Sequence, residues 1–489
     1  MTIVESGRLH REARAEPVMS PTLTPDLCVI GAGTAGLSVA AGAVQLGASV
    51  VLVERGAMGG DCLNVGCVPS KSLIAAAAAA HALRAGGPFG IAPVTPQVDF
   101  LAVRRHVHGV IAAIAPHDSV ERFEALGVTV IRERARFTAP DIVAAGGQLI
   151  RARRFVIATG SRPALPAVPG LADVPHLTNE SVFDLDQLPS RLLVLGAGPI
   201  GCELAQAFRR LGSEVAMIDL GPILPKDDPE LTAVVRARLL AEGVNLYEHA
   251  SVLAGERGPV LVIEDGADQQ RLAGTHLLVA AGRKANIEEL GLDLAGIAHD
   301  HKGIKVDARM RTTNARVFAI GDVAGGLQLT HLASYQARVV IRNALFRLPA
   351  RASNRAIPRV TFTDPELAKV GLSENDARAR GIVHEVVRCG FADNDRAQAE
   401  RATEGLVKVV VGRGGRVLGA SMVGTHAGEL ILPWVLAVER RLKLRAMASL
   451  VVPYPTLSEV STRVAGTYYA PKLFSAPVRW LVRLLAKLG

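Results

Sequence analysis

Two cysteines, Cys62 and Cys67, stand five positions apart in "GGDCLNVGCVPSK" (59–71), in a chain of 489 residues that holds only five cysteines. A pair that close can be a metal clip, a structural staple or a redox couple. On a regular helix, Cα atoms five residues apart are separated by about 8.7 Å, from the rise and radius of the helix. A disulfide needs less than about 7 Å. A bond between Cys62 and Cys67 therefore requires a distorted turn, which Gly59, Gly60, Gly66 and Pro69 can supply. An irregular disulfide is more easily reduced than a structural one. Zinc takes about four ligands, and the segment offers no other Cys or His. A redox couple is the reading these residues favour.

Electrons must reach such a couple, and the flanking sequence supplies the carriers' sites. "LCVIGAGTAGLSVA" (27–40) reads as a hydrophobic strand running into Gly31-x-Gly33-x-x-Gly36 and a helix of small residues; the next strand, "SVVLVE", ends at Glu54. "LLVLGAGPIGCELA" (192–205) repeats the pattern with Gly196, Gly198 and Gly201, and "EVAMID" ends at Asp219. The first glycines are 165 residues apart, and so are the two acids. The first glycine permits the tight turn and the second lets backbone approach a pyrophosphate. The third lets helix and strand pack closely, with the helix N-terminus facing the anion. The acid bonds ribose hydroxyls. Asp219 repels a 2′-phosphate and "LGPILPK" offers no adjacent Arg, so the second site is expected to take NADH rather than NADPH.

These elements need a large framework. At this length the chain divides into roughly two to four domains. A hydrophobic fraction of 49% with 21% charged residues describes an ordinary globular protein. Cysteines this sparse exclude a disulfide scaffold and make a reducing cytoplasm the expected compartment. The net charge of +9 is spread as Arg along the chain, a solvated surface rather than a help with pyrophosphate-bearing ligands, and no nucleic-acid partner is expected. Residues 1–25 read as a disordered polar arm, and no apolar stretch of about 18 residues predicts a spanning helix. The run Ala75–Ala80 falls in a helix bounded by Lys71 and Arg84.

From about residue 25 to 465 the chain resembles the FAD-dependent pyridine nucleotide-disulfide oxidoreductases, which include dihydrolipoamide dehydrogenase, glutathione reductase and mercuric reductase. The motifs are the cysteine segment, both glycine fingerprints, "ATGSRP" (158–163), "AAGRKAN" (280–286) and "FAIGD" (318–322). The resemblance implies an α/β fold: two Rossmann-like domains, for FAD and NAD, and a C-terminal α+β dimerisation domain. It implies hydride flow from NADH through FAD to Cys62 and Cys67. Cys67 would be the charge-transfer thiolate and Cys62 the exposed interchange thiol. Lys71 would sit by the flavin, paired with Glu203. Gly31, Gly33, Gly36, Glu54, Gly60, Thr159, Gly160, Gly321, Asp322, His331 and Ala333 would complete the cofactor contacts, with Gly196, Gly198, Gly201, Asp219, Gly282 and Arg283. "THLA" (330–333) opens a helix whose dipole favours an anionic flavin; His331 itself is expected to be structural. Cys28, Cys202 and Cys389 read as buried small residues.

"VVPYPTLSEV" (451–460) matches the family's C-terminal active-site motif, with Pro455, Thr456 and Glu459 in place, but Tyr454 stands where disulfide-reducing members carry His. That His comes from the other subunit, so a homodimer is implied. A phenol with a pKa near ~10 is a poor base at neutral pH. Tyr at this point resembles the mercuric reductase branch, where two thiolates hold a soft metal ion. That branch carries a C-terminal Cys pair, and here no Cys follows Cys389; an N-terminal metal-capture domain is not expected either.

The expected organisation is an FAD domain over 26–165 and 289–350, an NAD domain over 166–288, a dimerisation domain over 356–475 and a basic amphipathic tail over 476–489. Within the third part, "GLVKVVV" and "VLGASMVG" read as strands and "ELILPWVLAVERRLKL" as helical. In the tail, Leu481, Leu484, Leu485 and Leu488 share one helical face, and Arg479, Arg483 and Lys487 another. Packing of that stripe on the protein itself is the expected outcome, an anionic membrane surface the alternative. The functional expectation is an NADH oxidoreductase of dihydrolipoamide dehydrogenase type acting on a thiol or disulfide. A soft-metal reductase is second, and a non-catalytic membrane-surface protein last.

Overall fold

The computed structural model describes residues 21–488. The expected arm falls outside them up to residue 20. Its last residues are not disordered: Leu23 donates its N–H to the Leu149 carbonyl at 2.9 Å and accepts from Arg151 at 2.8 Å.

The apolar tetrad Leu27–Ile30 is buried on both faces, as a central parallel strand must be. It is flanked by Val50–Val53 and Arg154–Ile157, with Val128–Ile131 and Val317–Ala319 at the edges, all parallel. Val317–Ala319 returns to this sheet from far along the chain. The fingerprint helix Thr34–Gln45 packs against Thr330–Ala344 over the sheet.

The second fingerprint builds a second parallel sheet: Val244–Tyr247, Glu214–Ile218, Arg191–Leu195 and His276–Val279. The two halves agree to the level of single contacts. Gly31 has φ +104° and Gly196 +110°. A Cβ on Gly31 would stand 2.4 Å from the Ala158 oxygen, and one on Gly196 2.6 Å from that of Ala280. Only glycine satisfies both demands. A two-stranded ribbon, Ser161–Pro163 against Arg283–Ala285, joins the halves where the chain leaves one and returns from the other.

Residues 359–424 form a five-stranded antiparallel sheet in the order Arg359–Thr361, Glu366–Gly371, Arg416–Gly424, Leu406–Gly412, His384–Gly390. Both expected strands lie in it. Trp434 is fully buried beneath it and donates its indole N–H to Ser461 Oγ at 3.1 Å. The expected helical stretch 429–444 is not one helix: Ala427–Leu430, Leu432–Glu439 and Leu444–Ala448 are separate. Pro433 cannot donate a backbone bond and so opens the second instead of continuing the first. Buried Lys408 ties this sheet to the second half through Asp228 at 2.7 Å.

Two expectations, on a spanning helix and on the tail, bear on membranes, and only the second is corrected. Among the described residues one helical stretch, Gly60–Arg84, is long and apolar enough to cross a membrane. It is, however, broken at Val65–Gly66, and its second part packs on the helix Pro199–Leu211. The tail forms a helix, Ala476–Leu485, but none of its residues is buried, so its apolar stripe does not pack on its own chain.

Candidate active site

The distorted turn required by the cysteine spacing is present. Helix Gly60–Asn64 ends at Val65, Gly66 takes φ −130° and ψ −113°, and Cys67 opens the helix Cys67–Arg84. A Cβ on Gly66 would stand 2.8 Å from the Asp61 oxygen, so the turn closes only over glycine. Gly60, at φ +59°, lets the turn press on the first fingerprint: its Cβ would stand 2.7 Å from Gly33 Cα. The break folds the chain back and sets Cys62 and Cys67 beside each other as free thiols. Contrary to expectation, Cys67 is the exposed one and Cys62 is half-buried, because the turn tucks Cys62 inward and leaves Cys67 at the start of its helix.

The two sulfurs are electrostatically unequal. The hydrogen bond from Cys62 is the main influence lowering the Cys67 thiol to about 6; desolvation opposes it, while Thr330 and the Lys71 ammonium assist. Thr330 Oγ1 lies 3.3 Å from Cys67 Sγ. Cys67 also occupies the first turn of its helix, where the dipole favours an anion. The same shared proton, with burial, pushes Cys62 up. Of the pair, Cys67 is the sulfur favoured as thiolate and Cys62 the one favoured as thiol.

Lys71 follows one turn after Cys67. Its ammonium is 2.7 Å from Glu203 Oε2 and lies 4.4 Å over the Phe362 ring. Glu203 is only 5% exposed, and its other oxygen accepts the Phe362 N–H at 2.9 Å. The expected Lys71–Glu203 pair is therefore formed, at the contact between the cysteine helix and the second fingerprint helix.

Arg283 clamps the cysteine turn from behind. Its guanidinium bonds Asp61, beside Cys62, and donates to Ser161 Oγ at 2.7 Å and Asn179 Oδ1 at 3.3 Å. Asn179 in turn donates to the Val65 carbonyl at 3.0 Å. Thr330, Phe362, Asn179 and Ser161 were not among the expected site residues. Each lies outside the cysteine motif; Thr330 and Ser161 fall in motifs read for other reasons, whereas Phe362 and Asn179 carry no sequence signal.

Both fingerprints present the same acceptor arrangement. Glu54 accepts the Ala32 and Gly56 N–H groups, each at 2.6 Å; Asp219 accepts those of Ala197 at 2.6 Å and Gly221 at 2.9 Å. A cleft of about 590 Å³ opens at the carboxyl end of the first sheet, lined by Gly31, Glu54, Arg55, Thr159, Arg162 and Asn286 among others. Gly33, Gly160, Gly198 and Gly282 have no side chain crowding them within van der Waals range. A dinucleotide fits this cradle on both counts, open backbone and a ribose-facing carboxylate. Asp322 accepts Ser161 Oγ at 2.6 Å, and burial raises its carboxyl. Gly321 sits by Ala333, which is buried against the fingerprint helix. His331 Nε2 bonds the Pro358 carbonyl at 2.8 Å, a structural contact. Cys28, Cys202 and Cys389 are buried and protonated, Cys28 pushed up to about 12.

Tyr454 and Glu459 are not brought to the cysteines within the chain. Tyr454 is 71% exposed and donates its hydroxyl to Asp395 at 2.9 Å, an anion that raises its pKa. Glu459 pairs weakly with Arg463 at 3.4 Å, and its second oxygen is buried without a partner.

Known proteins share this architecture. Residues 25–337 match the family "pyridine nucleotide-disulphide oxidoreductase", and 357–465 match that family's dimerisation domain. A mercuric reductase of Staphylococcus aureus is 34% identical over 91% of this chain and 82% of its own length. A dihydrolipoyl dehydrogenase of Thermus scotoductus is 36% identical over 89% and 95%. Among solved structures, the Cu(II) complex of the HOCl-induced flavoprotein disulfide reductase RclA from Escherichia coli superimposes with a TM-score of 0.80 at 26% identity, covering 90% of this chain and 99% of that one. LpdA of Mycobacterium tuberculosis gives 0.82 at 26%, covering 91% and 100%.

Proposed function

This chain belongs to the pyridine nucleotide-disulphide oxidoreductases, enzymes that use FAD and NAD(P)H, and within that family we propose that it stores electrons from NADH on Cys62 and Cys67 for a disulfide acceptor of dihydrolipoamide type. The observation that carries this reading is the asymmetric thiol pair. Cys67, favoured as thiolate by Cys62, Thr330 and Lys71, is suited to face a cofactor; Cys62, favoured as thiol and not assisted by Lys71, is suited to exchange with an acceptor. Bound FAD supplies the two-electron relay between nicotinamide and sulfur. Gly31, Gly33, Gly36 and Glu54 would hold its ADP part, and Asp322 its ribityl chain. Gly196, Gly198, Gly201 and Asp219 would hold NADH, with the Asp219 charge opposing a 2′-phosphate. Arg283 would keep the cysteine turn in register through Asp61.

The same reading makes the active unit a homodimer in a reducing, cytoplasmic setting. Leu432, Leu436, Leu450 and Val451 are exposed in the dimerisation domain, Val451 fully so, and form an apolar surface for a second copy. Tyr454 would then reach the partner's cysteines. There it serves poorly as a base, because the hydrogen bond it donates to Asp395 raises its pKa and keeps the phenol protonated.

That observation favours a second reading. Two thiolates can hold a soft metal ion without a proton reaching a leaving sulfur, and the mercuric reductase relatives and the Cu(II) complex of RclA point the same way. Anaerobic titration of the holoenzyme with NADH separates the possibilities. A long-wavelength charge-transfer band after two electrons supports the thiolate store, and discharge by lipoamide or by Hg(II) identifies the acceptor. Flavin bleaching without that band refutes the mechanism.

A further inference from the structure

The helix Ala476–Leu485 lies beyond the matched dimerisation region, which ends at residue 465, and no residue in it is buried. Its two faces are chemically segregated. Leu481, Leu484, Leu485 and Leu488 make a wide apolar face with Val478 and Val482; Arg479, Arg483 and Lys487, four residues apart, line the other. Trp480, 65% exposed, falls at the border between them. The apolar surface continues into exposed Leu473 and Phe474, and Lys472 lies 4.6 Å over the Tyr468 ring. From Val460 to Gly489 there is no Asp or Glu, while Arg463, Lys472, Arg479, Arg483 and Lys487 are all cationic.

We propose that this helix docks the enzyme on an anionic phospholipid surface. A helix lying in a bilayer interface has this arrangement: an apolar face reaching the acyl boundary, cations at headgroup level and an aromatic at the border. The cations meet the negative surface potential of an anionic leaflet, with no acid in the segment to oppose it. A helix packed on a second copy would leave three aligned cations without carboxylates supplied by its own segment. It would also have to extend the interface past the region by which the family dimerises. The docking does not depend on which acceptor the cysteines serve.

The test is co-sedimentation of the full-length holoenzyme with phosphatidylcholine vesicles and with mixed phosphatidylcholine–phosphatidylglycerol vesicles. The protein is expected to pellet with the mixed vesicles only. Each cation removed weakens binding by about five-fold, so Arg479→Ala/Arg483→Ala/Lys487→Ala loses on the order of a hundred-fold. Added salt weakens it in step with the Debye length. NADH-driven turnover of that variant without vesicles is expected to be unchanged, which shows that it folds. The proposal is overturned if wild type stays in the supernatant with the mixed vesicles, or if the triple variant binds them as well as wild type. It also falls if Leu481→Ser/Leu485→Ser turns a dimer into monomers in the ultracentrifuge, because a second copy then covers the helix.

Discussion

Replacing Thr330 by Val removes the hydroxyl 3.3 Å from Cys67 Sγ while keeping nearly the same shape. A hydrogen bond to a charged group contributes about 1.5–3 kcal/mol. Thr330 is only half-buried, so the lower end applies. At ~1.4 kcal/mol per unit, the Cys67 pKa is expected to rise by about 1 to 1.5 units. It then moves from about 6 to roughly 7–7.5. The thiolate is the form present above the midpoint and lost as pH falls through it. At pH 7 its fraction therefore drops from about nine tenths to between a half and a quarter. The assay is pH titration of the long-wavelength charge-transfer absorbance in the two-electron-reduced holoenzyme, with Thr330→Ser as the variant that keeps the hydroxyl. The band should fade at higher pH in Thr330→Val and at the wild-type pH in Thr330→Ser. A Thr330→Val midpoint equal to that of wild type refutes the assignment of this hydroxyl to the thiolate.

Tyr454→His should raise lipoamide turnover by roughly 10²–10⁴, the usual worth of a positioned acid–base group; steady-state rates that stay flat place the proton source elsewhere. Lys71→Met strands the buried Glu203 carboxylate and removes one cation near Cys67. Because Lys71 is itself 36% exposed, the stability loss should sit at or below the low end of the ~3–5 kcal/mol range for a broken buried pair, read by denaturant unfolding, with a rise in the Cys67 midpoint. Arg210, 5% exposed, holds Glu242 at 2.5 Å and Asp364 at 2.8 Å. Arg210→Ala should cost about 3–5 kcal/mol by calorimetry, and a loss under about 1 kcal/mol would show that water replaces it. Asp219→Ala should narrow the kcat/KM preference for NADH over NADPH, and an unchanged ratio would remove Asp219 from that role.

The two nucleotide cradles and the cysteine turn were legible in the sequence because their determinants are local. Gly31 and Gly196 must accept positive φ, Gly66 must lack a Cβ, and Glu54 and Asp219 follow their fingerprints at fixed spacing. Backbone sterics act over a few residues, so a linear pattern records them. What surrounds the sulfur was decided by the tertiary fold. Thr330 comes from 263 residues beyond Cys67 and Glu203 from 132 beyond Lys71, while Arg283 reaches Asp61 across 222. Hydrogen bonds and charge pairs depend on distance in space, which sequence separation does not encode. Tyr454 shows the same limit: its substitution for His was visible, but its bond to Asp395 was not. The tail differs again. Its amphipathic pattern was plain, yet a stripe that packs inward and one left open read alike until the fold places, or withholds, a surface to cover it.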